Sequence, residues 1–307
     1  MEIILSLINT DGGIPMPASM LAWIGLLLAS FTLLGLLWVT RRNNKPFNQN
    51  KTLLFIALLV LAPITSLFFG FRLPPSSLPP PDKILDPMGP AVMLLSAVPW
   101  LLAGGLLGPL PSAIIALLSG YSLAYFETHN LYTPLQIALL AVLFSLIVMQ
   151  RYRTFTYRTL RDPVASGLLV TGLYALLWVL FTMLREQGLF AVRLDYALSG
   201  VGGNTLAFGI QVFLAALIAE VFYRLLSTTW GGIGPLIPSP GERSLQARFL
   251  YGMAPMAFIL VILLIMGDWY VAGNAAREML KARMADAAGV AAQNVPYFLD
   301  TGAFLAS

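Results

Sequence analysis

Long apolar runs, separated by short breaks rich in basic residues, glycine or proline, organise this chain from residue 20 onward. Each run approaches the roughly twenty residues that an α-helix needs to cross a hydrocarbon layer about 30 Å thick. The runs predict spans over residues 20–40, 52–71, 88–107, 110–126, 132–150, 164–184, 205–225 and 250–271. They are continuous and Leu-rich, unlike the alternating segments of about ten residues that build a membrane β-barrel. The expected fold is therefore all-α, a polytopic transmembrane bundle of about eight helices whose backbone groups are satisfied within each helix. Only Gly108 and Pro109 punctuate the run between the third and fourth spans. Proline lacks a backbone donor and disfavours helix in the residue before it, so a tight turn is expected there.

Small residues predict where helices meet. Ser112, Ala116, Gly120 and Ala124 fall at four-residue steps on one face of the fourth span, and Gly104 and Gly108 repeat that spacing at the end of the third. Lipid gives no hydrophobic drive for association, so close backbone approach at such positions marks a tight pair at the bundle centre. Pro63 and Pro99 lie inside predicted spans and should kink them. The stretch 73–90 carries seven prolines, Pro74 and Pro90 among them, and reads as an extended, stiff connector.

Composition excludes a water-soluble protein: 58% of residues are hydrophobic and 10% charged, where soluble domains carry roughly a quarter charged residues. The net charge of +4 gives no nucleic-acid patch, because the basic residues sit in short loops between apolar runs. The lipid bilayer is the partner they imply. Lys and Arg concentrate in alternate loops, around Arg41, Arg42, Lys45 and Lys51 and again around Arg151, Arg153, Arg158 and Arg161. By the positive-inside tendency these loops are cytoplasmic and both ends of the chain extracytoplasmic. Trp230, Trp269 and Tyr270 are expected at headgroup level. Residues 1–17 have no basic n-region and carry Glu2 and Asp11, so they do not read as a cleaved signal peptide. The expected organisation is an extracytoplasmic segment 1–19, a seven-helix membrane module 20–226, a cytoplasmic linker 227–249, an eighth helix 250–272 and an extracytoplasmic start of a further domain, 273–307.

Little chemistry is on offer. The chain has no cysteine and one histidine, which removes disulfides, thiol catalysis and Cys/His zinc sites. The glycine clusters Gly200-Val-Gly-Gly and Gly231-Gly-Ile-Gly lack the Lys-Ser/Thr of a phosphate loop and read as flexible connectors. No cofactor and no catalytic residue is expected. Glu220 lies within the seventh span, where a charge is costly, but Arg224 is four residues on and on the same helical face, so a pair snorkelling to the interface accounts for both. Glu220-Val-Phe-Tyr-Arg224 resembles the Glu-x-x-x-Arg segment of membrane-embedded CAAX-type proteases; those enzymes need intramembrane histidines, and His129 falls in an outer loop. His129 and Glu127 form a candidate cation- or pH-sensitive pair in that loop. Gln136 and Gln211, with Tyr121 and Tyr174, are the uncharged polar candidates for lining a ligand cavity. Asp268 reads as interfacial.

The tail changes character. Residues 274–292 carry Arg277, Glu278, Lys281, Arg283 and Asp286, with Ala276, Leu280, Met284, Ala287 and Ala291 on a helical stripe. An amphipathic helix continuing out of the membrane is expected, followed by Pro296-Tyr-Phe and Thr301-Gly. With Arg243-Ser-Leu-Gln-Ala-Arg248, this arrangement resembles bacterial multi-domain sensors in which a last membrane helix enters an extracytoplasmic Cache-like domain. Gly104-Gly-Leu-Leu-Gly108-Pro109-Leu-Pro-Ser-Ala113 is similar to the polytopic modules of LytS-type receptors, and comparable turns occur in vitamin-transporter S components. The resemblance implies the input region of a homodimeric receptor in a bacterial cytoplasmic membrane. It would detect a small or membrane-soluble ligand and feed a histidine-kinase-like or cyclase-like output absent from this chain. The alternative is a small-solute transporter component.

Overall fold

The computed structural model describes residues 13–41, 48–74, 89–226, 229–231, 235–239, 242 and 245–306. They fall into two units, residues 1–237 and 238–307. Among the described residues seven helices are long and apolar enough to cross a membrane, which makes this a multi-pass membrane protein. Most of the proline-rich connector, the loop basic residues Arg42 and Lys45, and the second glycine cluster beyond Gly231 lie outside the described residues.

Helix α1 (Met20–Thr40) coincides with the first predicted span, and Ser19 caps it by accepting from the Ala22 amide at 3.1 Å. Helix α2 (Gln49–Leu67) starts at the Asn48 cap and has Pro63 in its interior. It stops short of the predicted end because Phe69 takes a left-handed φ of 65°. The chain then forms β1 (Gly70–Arg72), antiparallel to β2 (Ala91–Met93).

The third predicted span is corrected. Its described residues, 89–107, make no continuous helix; they form β2, a turn and the nine-residue α3 (Val98–Leu106). Pro99 does not kink a long helix but opens this short one, in the first turn, where its missing donor costs nothing. The segment nonetheless runs the depth of the bundle. Arg72 in β1 pairs with Glu127 at 2.6 Å, at the end where α4 (Pro109–Leu123) passes through a π-helical turn (Ala124–Thr128) towards α5 (Tyr132–Met149). Gly104 lies against Phe144 and Ser145, and Gly108 against Met149, the last turn of α5. Strand, turn and half-helix together replace one membrane helix, with Gly108 at φ 112° making the expected tight turn into α4. Non-helical backbone survives at this depth only when protein groups satisfy it. Here Leu94 N donates to Phe69 O at 3.0 Å, Gln211 Nε2 to Ala91 O at 3.1 Å and Ser119 Oγ to Ser96 O at 3.3 Å.

The expected tight pair forms. Ser112, Ala116 and Ala124 are fully buried, and a side chain at Gly120 would meet Pro134 Cα of α5 at 2.6 Å. Ser112 Oγ donates to Trp100 O and Ser145 Oγ to Gly104 O, both at 2.8 Å, while Trp100 and Phe144 meet edge to face. After the one-turn α6 (Phe155–Thr159), α7 (Pro163–Arg185) and α8 (Phe190–Leu225) form a long antiparallel hairpin. Helix α8 begins fifteen residues before the seventh predicted span, so Gly200 to Gly203 are not a flexible connector but helix interior. Only helical pairing keeps their backbone satisfied in lipid. Trp230 is 6% exposed and packs over Gly105.

In the second unit, α9 (Leu245–Ala306) is a single helix of 62 residues. The predicted eighth span and the predicted amphipathic segment are continuous within it, and it passes through Pro296 without a break. Lys281 and Glu278 pair on its surface at 2.8 Å.

Candidate functional site

The first unit has a strand end, marked by β1, β2 and Tyr132, and an arginine end, marked by Arg151, Arg158, Arg161 and Arg224. A cavity of about 260 Å³ enters from the strand end between α5, α7, α8 and the π turn. That size is just under the range of about 300–1,000 Å³ usual for small-molecule pockets.

Its walls follow from helical spacing. On α8, Asn204, Phe208 and Gln211 share one face; on α7, Tyr174, Trp178 and Arg185 do; on α5, Thr133, Gln136 and Ile137 do. Glu127, Thr128, Asn130, Pro90 and Ala91 rim the mouth. From Arg185 to Tyr174 the wall descends about 16 Å at 1.5 Å per residue, half the hydrocarbon thickness. Past Leu123 and Ile137, the side chains of Ser112, Ala116, Leu140 and Phe144 are fully buried. The cavity is a blind, half-depth pocket.

Its polar groups divide into those already engaged and those with none to bind. Gln211 Oε1 accepts from Ser96 Oγ at 2.8 Å while its Nε2 holds Ala91 O, so this side chain fastens the third crossing to α8. Arg185 Nε donates to Glu186 Oε1 at 2.7 Å. Asn204 Nδ2 donates to Gly200 O at 2.9 Å, leaving its carbonyl oxygen. By contrast, Gln136 is 4% exposed and its Nε2 has no acceptor, nor does the buried Nε1 of Trp178. Tyr174 stacks on Phe208 with ring centroids 4.1 Å apart and planes at 9°, and both rings line the cavity. The site can therefore receive a small solute with acceptor atoms and a flat apolar surface.

Of the residues singled out in the sequence, Gln136, Gln211, Tyr174 and Glu127 come together here. Four do not. Glu220 and Arg224 form the expected pair, Nε to Oε1 2.7 Å, with the arginine 77% exposed, away from the cavity. Tyr121 faces outward, 54% exposed. His129, at φ 45°, has its Nδ1 2.8 Å from Gly13 O and ties the N-terminal segment to the mouth without lining it. Among the described residues no group of three His, Cys, Asp or Glu side chains could hold a metal ion. Trp178, Asn204, Asn130, Thr133, Arg185 and Tyr196 were not anticipated. The only sequence signal for them was polar or aromatic residues recurring at helical spacing on the sixth span and the residues before the seventh.

No known protein family, characterised protein or solved structure matches this chain.

Proposed function

We propose that the first unit is the ligand-receiving input region of a membrane receptor, and that the polar half-depth cavity is where its ligand binds. The observation that carries this reading is the pair of buried, acceptorless donors, Gln136 Nε2 and Trp178 Nε1, on residues that line a blind pocket together with the stacked Tyr174 and Phe208. A blind pocket suits detection, since a conduit would need a path past the packed Ser112, Leu140 and Phe144. Helix α9 adds support: at 62 residues it is about 93 Å long, three times what one crossing needs. A helix of that length suits transmission of binding at the bundle to a domain outside the bilayer, as in the LytS-type and Cache-bearing sensors that the sequence resembles. On this reading the chain sits in a bacterial cytoplasmic membrane, pairs with a second copy, and takes part in signal transduction.

One observation favours the transport alternative: the third crossing is interrupted beside the cavity, as the substrate helices of many transporters are. The two readings separate in one experiment. Full-length protein in nanodiscs is screened for thermal stabilisation by small polar solutes, and the solute that binds is then offered to proteoliposomes. The receptor reading expects binding without uptake; saturable uptake would replace it with transport. For either, Gln136→Leu should weaken binding at least about tenfold, the cost of leaving a bound acceptor unpaired. Unchanged affinity in that variant would remove the cavity as the binding site.

A further inference from the structure

At the opposite end of the bundle, where charge bias predicts the cytoplasmic face, a second cavity of about 140 Å³ lies between the end of α5, the end of α8 and the segment after it. Val148, Gln150, Arg151, Arg161, Tyr223, Trp230 and Gly231 line it, and no carboxylate does. Three donors there are buried and have no acceptor: Arg151 Nε, Arg161 Nε and Trp230 Nε1. Each is held in place by other bonds. Arg151 is fixed through its backbone, whose carbonyl accepts from Ile237 N at 2.9 Å beside the Tyr152–Ile237 bridge. Arg161 Nη2 donates to Tyr152 O, which anchors one edge of its guanidinium. Trp230 is pinned on Gly105, with Gly231 N donating to Gly105 O at 2.8 Å.

Among the described residues neither arginine has a carboxylate partner. Two acids of this end are committed elsewhere: Asp162 caps α7 through Val164 N, and Glu220 holds Arg224. The two guanidinium groups line one cavity, close enough for their charges to act on each other. Burial, and next the charge of Arg151, push the Arg161 pKa down from its ordinary value. Two confined cations with acceptorless N–H groups and no counter-charge form a receptor for an oxyanion.

We propose that this cavity binds a phosphate group through Arg151, Arg161 and Trp230. A tetrahedral oxyanion offers an oxygen to each donor and offsets the charge of both arginines. Arg151 stands two residues past the end of an 18-residue helix about 27 Å long, hence at the depth of lipid phosphates. The phosphate can belong to an anionic lipid headgroup or to a soluble phosphate compound; the donors are the same.

The test uses the full chain. Native mass spectrometry from nanodiscs of phosphatidylcholine doped with phosphatidylglycerol reads lipid retention, and equilibrium dialysis with glycerol phosphate reads the soluble source. Arg151→Gln and Arg161→Gln should each lower binding at least about tenfold, and Trp230→Phe should lower it less. Arg158→Gln, which removes an exposed arginine from the same loop, should leave it unchanged. Arg151→Lys keeps the charge and loses the fork, so it should restore folding where the glutamine variant fails but not full affinity. Phosphatidylglycerol retention that glycerol phosphate does not displace assigns the site to lipid; displacement assigns it to a soluble phosphate. The proposal falls if neither probe binds the wild-type protein, or if Arg158→Gln costs as much as the cavity variants.

Discussion

Gln211 accepts from Ser96 and donates to Ala91, whereas Gln136, a few ångströms into α5 and equally buried, donates from Nε2 to nothing. Their leucine variants should therefore diverge. Gln211→Leu strands a buried hydroxyl and a buried carbonyl of the third crossing, a loss of about 1–3 kcal/mol that should lower the unfolding temperature in detergent. Gln136→Leu removes an amide whose donor is unsatisfied in the empty cavity, so its unfolding temperature should hold or rise while ligand binding is lost. Equal destabilisation by both would show that Gln136 is a structural residue and not a binding one. Glu220 belongs to neither class. It lies away from the cavity and pairs with the mostly solvent-facing Arg224, so Glu220→Gln should leave ligand affinity at the wild-type value.

Helix packing puts a comparable contrast within reach at two glycines. A side chain at Gly120 would strike the backbone of Pro134 at 2.6 Å, and backbone cannot rotate away; a side chain at Gly172, on the outer face of α7, meets nothing within 4 Å. Gly120→Ala should cost about 1–3 kcal/mol by forcing α4 from α5. Gly172→Ala should cost nothing and gain a little helix propensity. Thermal unfolding of the two variants checks both, and a Gly120→Ala protein as stable as wild type would mean that α4 and α5 are not so tightly joined. The stripe that includes Gly120 was readable from four-residue spacing alone, as was the whole of α1, because helical period and apolar length are local properties. Residues 88–107 were misread for the opposite reason. Hydropathy records how apolar a segment is and not where its amides are bonded, and only Gln211, Ser119 and β1, distant in sequence, make strand and turn tolerable at that depth. The same limit hid half of the cavity. Gln136 and Gln211 stood out as polar residues in apolar runs, but Trp178 counts as apolar by composition, and Asn204 and Arg185 lay outside or at the edge of predicted spans; their convergence depends on how α7 and α8 are rotated against each other.

The composite third crossing fixes the parity of the whole chain. Between Asn48, before α2, and Thr156, after α5, the chain passes through α2, the strand-and-half-helix segment, α4 and α5. If residues 91–107 traverse the bundle, the number of crossings between these positions is even and the two lie on the same side of the membrane. If that segment returned to the side it entered from, the number would be odd and they would lie on opposite sides. Gln187, between α7 and α8, is one crossing beyond Thr156 and must face the other way from it in either case. All three positions are exposed, and the chain contains no cysteine, so Asn48→Cys, Thr156→Cys and Gln187→Cys each introduce a single reporter. With a membrane-impermeant thiol reagent on intact cells, Gln187→Cys should react at once, and Asn48→Cys and Thr156→Cys only after permeabilisation, in keeping with the arginines that flank both. Reversal of all three would overturn the orientation and leave the parity standing. A split between Asn48→Cys and Thr156→Cys would overturn the parity itself. The segment that Gln211 holds at the cavity would then be a re-entrant loop and not a crossing.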